Sequence, residues 1–259
     1  MIVVVGLPAY GATPDGQGSA GGLAVDVAAE AVHRGGAVEL VGKVGDDGAG
    51  DAVVLALGRL GIGHAALSRD PARPTPVLTF EPGNGDEEGL DVAAAELVRS
   101  AADDSPVITL LPAEPGERPG LEAGDVQLAL RYLAEARVVV VTEQLSEVAL
   151  AAAVEGAQFA GARLVVLVPA GSAPPAVPVD ATVLEAPLVD DGSFGRVVGA
   201  FAAALDSGLE AEAAFGQAVE RSGWQAVADC SPNPLGHDRG PRPCRWLAFL
   251  YIAEHGPRH

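Results

Sequence analysis

Apolar residues along the chain fall into two kinds of run. Short continuous runs of Val, Ile and Leu occupy residues 2–5, 38–41, 107–111, 138–141 and 164–168. They have strand length and no polar alternation, as expected of strands covered on both faces. Between them, Ala-rich stretches at 23–34, 49–60, 123–136 and 147–160 repeat apolar residues at helical spacing. Strand and helix alternate in the manner of βαβ units, which predicts the α/β class: a three-layer α/β/α sandwich around a mostly parallel central sheet.

The remaining segments are less regular. Residues 74–81 alternate polar and apolar positions ahead of a turn-rich stretch at 82–89, the pattern of a hairpin or an edge strand. Pro169, Pro174, Pro175, Pro178 and Pro187 exclude a long helix from 169–187, which reads as a loop or a short irregular crossing. Residues 195–205 are strongly helical, 222–245 are rich in Pro, Gly and polar residues, and 246–254 read as a final apolar helix. No internal repeat is evident. At 259 residues the expectation is one large domain over 1–259.

Composition adds exclusions. The chain is 49% hydrophobic but only 4% aromatic, so the core must be built from Ala, Val and Leu. Its formal charge is −19, and Lys43 is the only lysine. No cluster of basic residues is present to neutralise a phosphate backbone, which argues against nucleic-acid partners. The first apolar run is too short for a membrane span and lacks the basic flank of a signal peptide, so no membrane association and a cytoplasmic location are expected. Cys230, His237 and Cys244 have six residues between successive members, a spacing that matches no common zinc pairing; no metal is expected there.

Residues 21–45, GGLAVDVAAEAVHRGGAVELVGKVG, carry the candidate chemistry. This segment resembles the N-terminal signature of the PfkB, or ribokinase-like, carbohydrate kinases. Gly21, Gly22, Ala24, Ala28, Gly35 and Gly45 fall on the pattern, and Asp26 stands where the family has Asn. The likeness continues through Asp47, Gly48 and Gly50 to Leu60-Gly61-Ile62. It implies that Gly21, Gly22 and Asp26 border a substrate site for sugar hydroxyls. An ionised Asp only accepts hydrogen bonds where Asn both donates and accepts, so the ligand preference must differ.

A second stretch, residues 189–205, is similar to the family's C-terminal motif, in which glycines open a helix as an anion hole and an Asp takes the proton from the attacking hydroxyl. Ungapped alignment puts Gly192, Ser193 and Phe194 on the anion hole and Gly195 on the catalytic Asp. Glycine accepts no proton, so the general base is missing. Asp190 and Asp191, just upstream, are the candidate catalytic replacements. Phe194 places a bulky ring where bare backbone is needed.

Between Pro169 and Asp190 there are only twenty residues, where family members carry further elements that reach ATP and Mg²⁺. Thr182-Val183-Leu184-Glu185 is the remnant there. Only fourteen residues separate Gly6 from Gly21, too few for the strands of the family's lid. The lid is therefore expected to be reduced or absent, and an active enzyme would need a partner subunit to exclude water; self-association is open. The resemblance implies a degenerate carbohydrate kinase that still binds a small polyol, sugar or nucleoside, with ATP and Mg²⁺ as cofactors only if it is active. Two alternatives stand beside it: an active sugar or nucleoside kinase using Asp190 or Asp191, and a structural or partner-binding protein with no small-molecule site.

Overall fold

The computed structural model describes residues 1–12, 18–81, 107–110, 118–173, 175–187 and 192–222. The first half runs β1 (Ile2–Val5), β2 (Ala9–Ala12), β3 (Gly18–Gly21), α1 (Leu23–His33), β4 (Val38–Gly45), α2 (Gly48–Arg59), β5 (Leu67–Asp70), β6 (Val77–Glu81) and β7 (Val107–Leu110). The second runs α3 (Ala123–Tyr132), β8 (Val138–Val141), α4 (Glu147–Ala160), β9 (Arg163–Val168), β10 (Thr182–Glu185), α5 (Ser193–Asp206) and α6 (Ala211–Ser222).

Six strands form the central sheet in the order β10-β9-β8-β1-β4-β5, and every neighbouring pair is parallel. The cause is visible in β1 and β8, whose four residues each are fully buried. Such strands need cover on both faces, and parallel connections supply it as helices. Ile2 and Val4 pack with α1, α2, α5 and α6, while Val3 and Val5 pack with α3 and α4. The three-layer sandwich expected from the alternating pattern is therefore present.

A second sheet runs β3-β2-β6-β7. It corrects two expectations. Residues 7–20 do have room for strands, because β2 and β3 need only four residues each and pair antiparallel. The lid region is thus reduced and not absent. The apolar run at 107–111 enters this small sheet as β7, antiparallel to β6, and not the central one; a short apolar run does not encode which sheet it joins. Of the stretch expected to start a hairpin or form an edge strand, residues 77–81 form β6, which pairs antiparallel with β7 and in parallel with β2 and so lies inside the small sheet and not at its edge. In the proline-rich stretch, β10 forms the edge of the central sheet, where missing N–H groups are tolerated. The turn-rich 82–89, most of 222–245 and the helix expected at 246–254 lie outside the described residues.

Chain order fixes where the sheet opens. From β1 the chain moves outward through β4 and β5, then returns to the other side of β1 at β8 and continues to β9 and β10. The connections after β1 and β8 therefore diverge to opposite faces. In open α/β sheets that divergence leaves a crevice beyond the strands' carboxyl ends.

On the opposite face from α3 and α4, helix α5 lies against α1 at unusually short range. A Cβ at Gly195 would lie 2.7 Å from the Asp26 Cβ, and one at Gly199 would lie 2.5 Å from the Val27 carbonyl oxygen and 2.7 Å from the Glu30 Cβ. Two glycines one turn apart give α5 a flat stripe that admits the α1 backbone.

Candidate functional site at the sheet switch point

The crevice beyond β1 and β8 is a cavity of about 470 Å³. Leu7 comes to it from the end of β1, and Glu143, Gln144, Leu145 and Ser146 from the end of β8. Arg118, Glu122 and Ala123 come from the start of α3, and Arg73 from the segment between β5 and β6. The strand ends are locked together at its floor. Thr142 Oγ1 donates to the Val5 carbonyl at 3.2 Å, and at Gly6 any Cβ would collide with the Thr142 hydroxyl and the Ala24 methyl.

Glu143 is the chemically distinctive group. Burial pushes its carboxyl above the ordinary value, while nearby Arg118 and the Leu7 N–H hydrogen bond act in the opposite direction without cancelling it. Arg118 Nη2 stands 3.7 Å from Glu143 Oε2, an ionic distance but too long for a hydrogen bond. Glu122 is engaged at the start of α3, where its side chain accepts the Asp125 N–H and the Asp125 carboxylate accepts the Glu122 N–H in a capping box. Asp125 also receives Lys43 Nζ at 2.6 Å, so the chain's lysine is held between sheet and helix. Ser146 caps α4 by accepting the Ala149 N–H. A second cavity shares Glu143, Gln144 and Leu145 and runs along β9 toward Pro169 and Ala176; among the described residues its lining adds Glu147 and no Lys or Arg.

The residues singled out in the sequence flank this crevice without lining it. Gly21 ends β3 against Leu78 of β6, where a Cβ would come within 2.5 Å of Leu78 Cδ1. Gly22 caps α1 at φ 93°, a conformation that favours glycine, and faces the Leu7 carbonyl and Ala9. Asp26 sits in the first turn of α1, its N–H bonded to the Gly22 carbonyl. Gly45 and Asp47 take structural roles. Asp47 caps α2 through the Gly50 N–H at 2.7 Å and also accepts the Thr75 N–H and hydroxyl. The Thr75 hydroxyl accepts the Gly45 N–H in turn. Burial works to raise the Asp47 carboxyl, but these hydrogen bonds and the charge of Arg69 outweigh it and hold the group below its usual range. Asp70, at the end of β5, is likewise lowered, first by the Ala72 N–H and then by Arg73, against the effect of burial.

The structure brings Asp26 and Gly195 together. Gly192 caps α5 in the left-handed region at φ 82°, and the helix begins at Ser193. Phe194 is buried in the core cluster with Val197, Val198 and Phe201, so its ring supports the inside of the helix and does not stand as a plug in front of it. Glu185 of the expected remnant accepts the Gly171 N–H at 2.6 Å and closes the turn after β9. Asp190 and Asp191 lie outside the described residues, as do Cys230, His237 and Cys244.

No family model matches the sequence, and neither does any curated protein. Solved structures match its shape. The crystal structure of Sa239 is 14% identical, with 90% of this chain and 97% of that one covered at a TM-score of 0.59. Arabidopsis thaliana ribokinase complexed with ribose and ATP is 16% identical, with 85% and 90% covered at 0.56. The PfkB protein from Polaromonas sp. JS666 is 12% identical, with 85% and 94% covered at 0.57. The chain has the ribokinase-like fold. These identities concern the fold alone, and activity must be argued from the residues. Within this ribokinase-like frame the first turn of α5 packs against α1, where Asp26 meets Gly195, and the Phe194 ring belongs to the core. Among the described residues, no helix is long and apolar enough to cross a membrane.

Glu143, Arg118 and Arg73 were not apparent from sequence. The usable signal is position: Glu143 stands two residues after the buried Val138–Val141 run, at the carboxyl end of a parallel strand beside β1, where such folds gather ligand contacts.

Proposed function

We propose that this chain is a divergent member of the PfkB carbohydrate kinases that binds a small polyol and transfers phosphate weakly or not at all. One observation supports the reading: at Gly195, which the motif alignment sets against the family's catalytic carboxylate, a Cβ would lie 2.7 Å from the Asp26 Cβ, where α5 meets α1. A proton acceptor there needs both a carboxylate and space in front of it. At position 195 this helix pair has neither. The motif match at residues 21–61 and the ribokinase-like fold support the family placement. The crevice at the β1–β8 switch point, with the half-buried Glu143 and the amide of Gln144, supports polyol binding, because hydroxyls are held by paired acceptors and donors.

The test is a coupled assay for ADP with ATP, Mg²⁺ and a panel of sugars, sugar acids and nucleosides, run beside thermal unfolding with the same compounds. A raised melting temperature with one or more polyols, and no ADP above background, is the expected result. Turnover in the ordinary kinase range of about 1–100 s⁻¹ would overturn the loss of phosphotransfer. Absence of any polyol-dependent stabilisation would overturn the binding role.

A further inference from the structure

A smaller cavity, of about 190 Å³, lies where the end of α1 meets α5 and α6. It stands at the amino ends of the strands, since α1 runs out into the start of β4 and Asp206, closing α5, receives the Met1 amino group at 2.9 Å. The switch-point crevice is at the opposite ends of the strands. The hollow exists because three alanines of α5, Ala200, Ala203 and Ala204, line it and leave the space that longer side chains would fill. Two guanidiniums border it, Arg34 from the end of α1 and Arg221 from α6, together with the Gln217 amide; no carboxylate is among the described residues that line it. Arg34 is aimed by its own helix. Its Nε donates to Glu30 Oε1 at 2.7 Å, and Glu30 is packed in turn on α5, where a Cβ at Gly199 would come within 2.7 Å of its own. That bond leaves the terminal N–H groups of a side chain only 26% exposed to face a ligand. Arg221 is exposed and has no ion pair among the described residues. Counting Glu30, the group keeps one net positive charge, on a chain with a formal −19. Arg34 caps α1 and Arg221 stands in the last turn of α6, where a cation complements the helix dipole. That role accounts for the charges but not for the space between them. The Ser207 hydroxyl is taken by the Ala204 carbonyl at 2.7 Å, so the donors that remain are the two guanidiniums and Gln217.

We propose that this cavity binds a small tetrahedral oxyanion, phosphate free or as a monoester, held between Arg34 and Arg221 with the Gln217 amide donating to a further oxygen. Forked guanidiniums reaching in from two helices suit an anion with oxygens on every side, whereas a carboxylate is satisfied by one fork. The volume lies below the roughly 300–1,000 Å³ of pockets for drug-sized ligands, which favours a phosphate group over a nucleotide. The site shares no residue with the switch-point crevice, so it stands or falls independently of polyol binding. An anion here bridges α1, α5 and α6 and stabilises their packing.

The experiment is titration calorimetry and thermal unfolding of the full chain in Tris chloride at constant ionic strength, with inorganic phosphate and glycerol 3-phosphate as probes, repeated with Arg221→Gln and Arg34→Gln. Phosphate is expected to raise the melting temperature above the chloride control, and each substitution to weaken its binding roughly tenfold. Arg221→Gln, at an exposed position, should keep the melting temperature of the unliganded parent; if Arg34→Gln lowers it, the Arg221 variant alone carries the test. Tighter binding of the ester than of the free ion identifies a phosphorylated small molecule as the ligand, and equal or weaker binding identifies phosphate itself. Stabilisation by phosphate no greater than by chloride overturns the proposal. So does phosphate binding that survives unchanged in Arg221→Gln, because the anion then sits elsewhere.

Discussion

The two stretches that carry the family likeness have fared differently. In residues 21–61 the glycines and Asp47 still make turns, caps and strand-end contacts that any chain with this fold needs. At residues 192–195, which align with the family's phosphate-transfer motif, the described contacts are packing ones: Phe194 in the core and Gly195 against α1. The contrast separates what a motif does for the fold from what it does for chemistry. Asp47 persists as a cap and clasp whether or not a substrate is turned over. A catalytic carboxylate has no such second duty, and once its chemistry is not required, nothing structural holds it in place.

Substitutions can break or sharpen this contrast. The largest effect is expected for Gly195→Asp, which restores the family residue but drives a side chain into Asp26 and sets two carboxylates together; a loss of about 3 kcal/mol or more in urea unfolding should follow, with no gain in ADP formation. A stable, active Gly195→Asp protein would mean the helices separate easily and that the site is dormant and not closed. Next is Asp47→Ala, which removes the α2 cap and both Thr75 bonds together and should cost about 2 kcal/mol. Thr75→Val should cost less, and the double mutant less than the sum, because the two residues share bonds.

Smaller effects concern pH. The Asp47 and Asp70 carboxyls are lowered from 3.8 on folding, so the stability they contribute is fully present above that value and is lost as pH falls through the depressed folded values. Asp47→Asn should flatten that part of the acid limb in a series of urea midpoints. Glu143 has the opposite sign. Its folded value is raised above 4.5, so its favourable contribution exists while it is protonated and disappears as pH rises through the raised value. Glu143→Gln should therefore be as stable as the parent or slightly more stable at neutral pH, by no more than about 1 kcal/mol, while weakening polyol binding.

Much of the frame was legible because burial writes itself into strands. Four valines at 138–141 can only be a covered strand, and the helices at 23–34 and 147–160 carry apolar faces of the right period. The small sheet was less legible. Its strands β2 and β3 are AYGA and GSAG, which have no apolar alternation to detect and exist because they pair with one another and with β6. Helix α6 was missed because its apolar face is short and is completed by Phe215 stacking edge-on against Phe201 of α5. Gly195 was legible as a position without a carboxylate, but its packing role was not, since Asp26 lies far away in sequence. The crevice was hidden for the same reason: Leu7, Arg73, Arg118 and Glu143 are joined only by topology.

The short contact between α5 and α1 also bears on how this protein could change. Gly195 and Gly199 act as a pair, so a carboxylate at 195 requires the whole helix to move outward, and Gly199 lies against the Val27 carbonyl and the Glu30 Cβ, holding it in. A single substitution at 195 is therefore penalised before it can be useful, and a compensating change at 199 is penalised too, because it opens a gap while 195 is still bare. Larger side chains at either position therefore require coordinated changes across both helices.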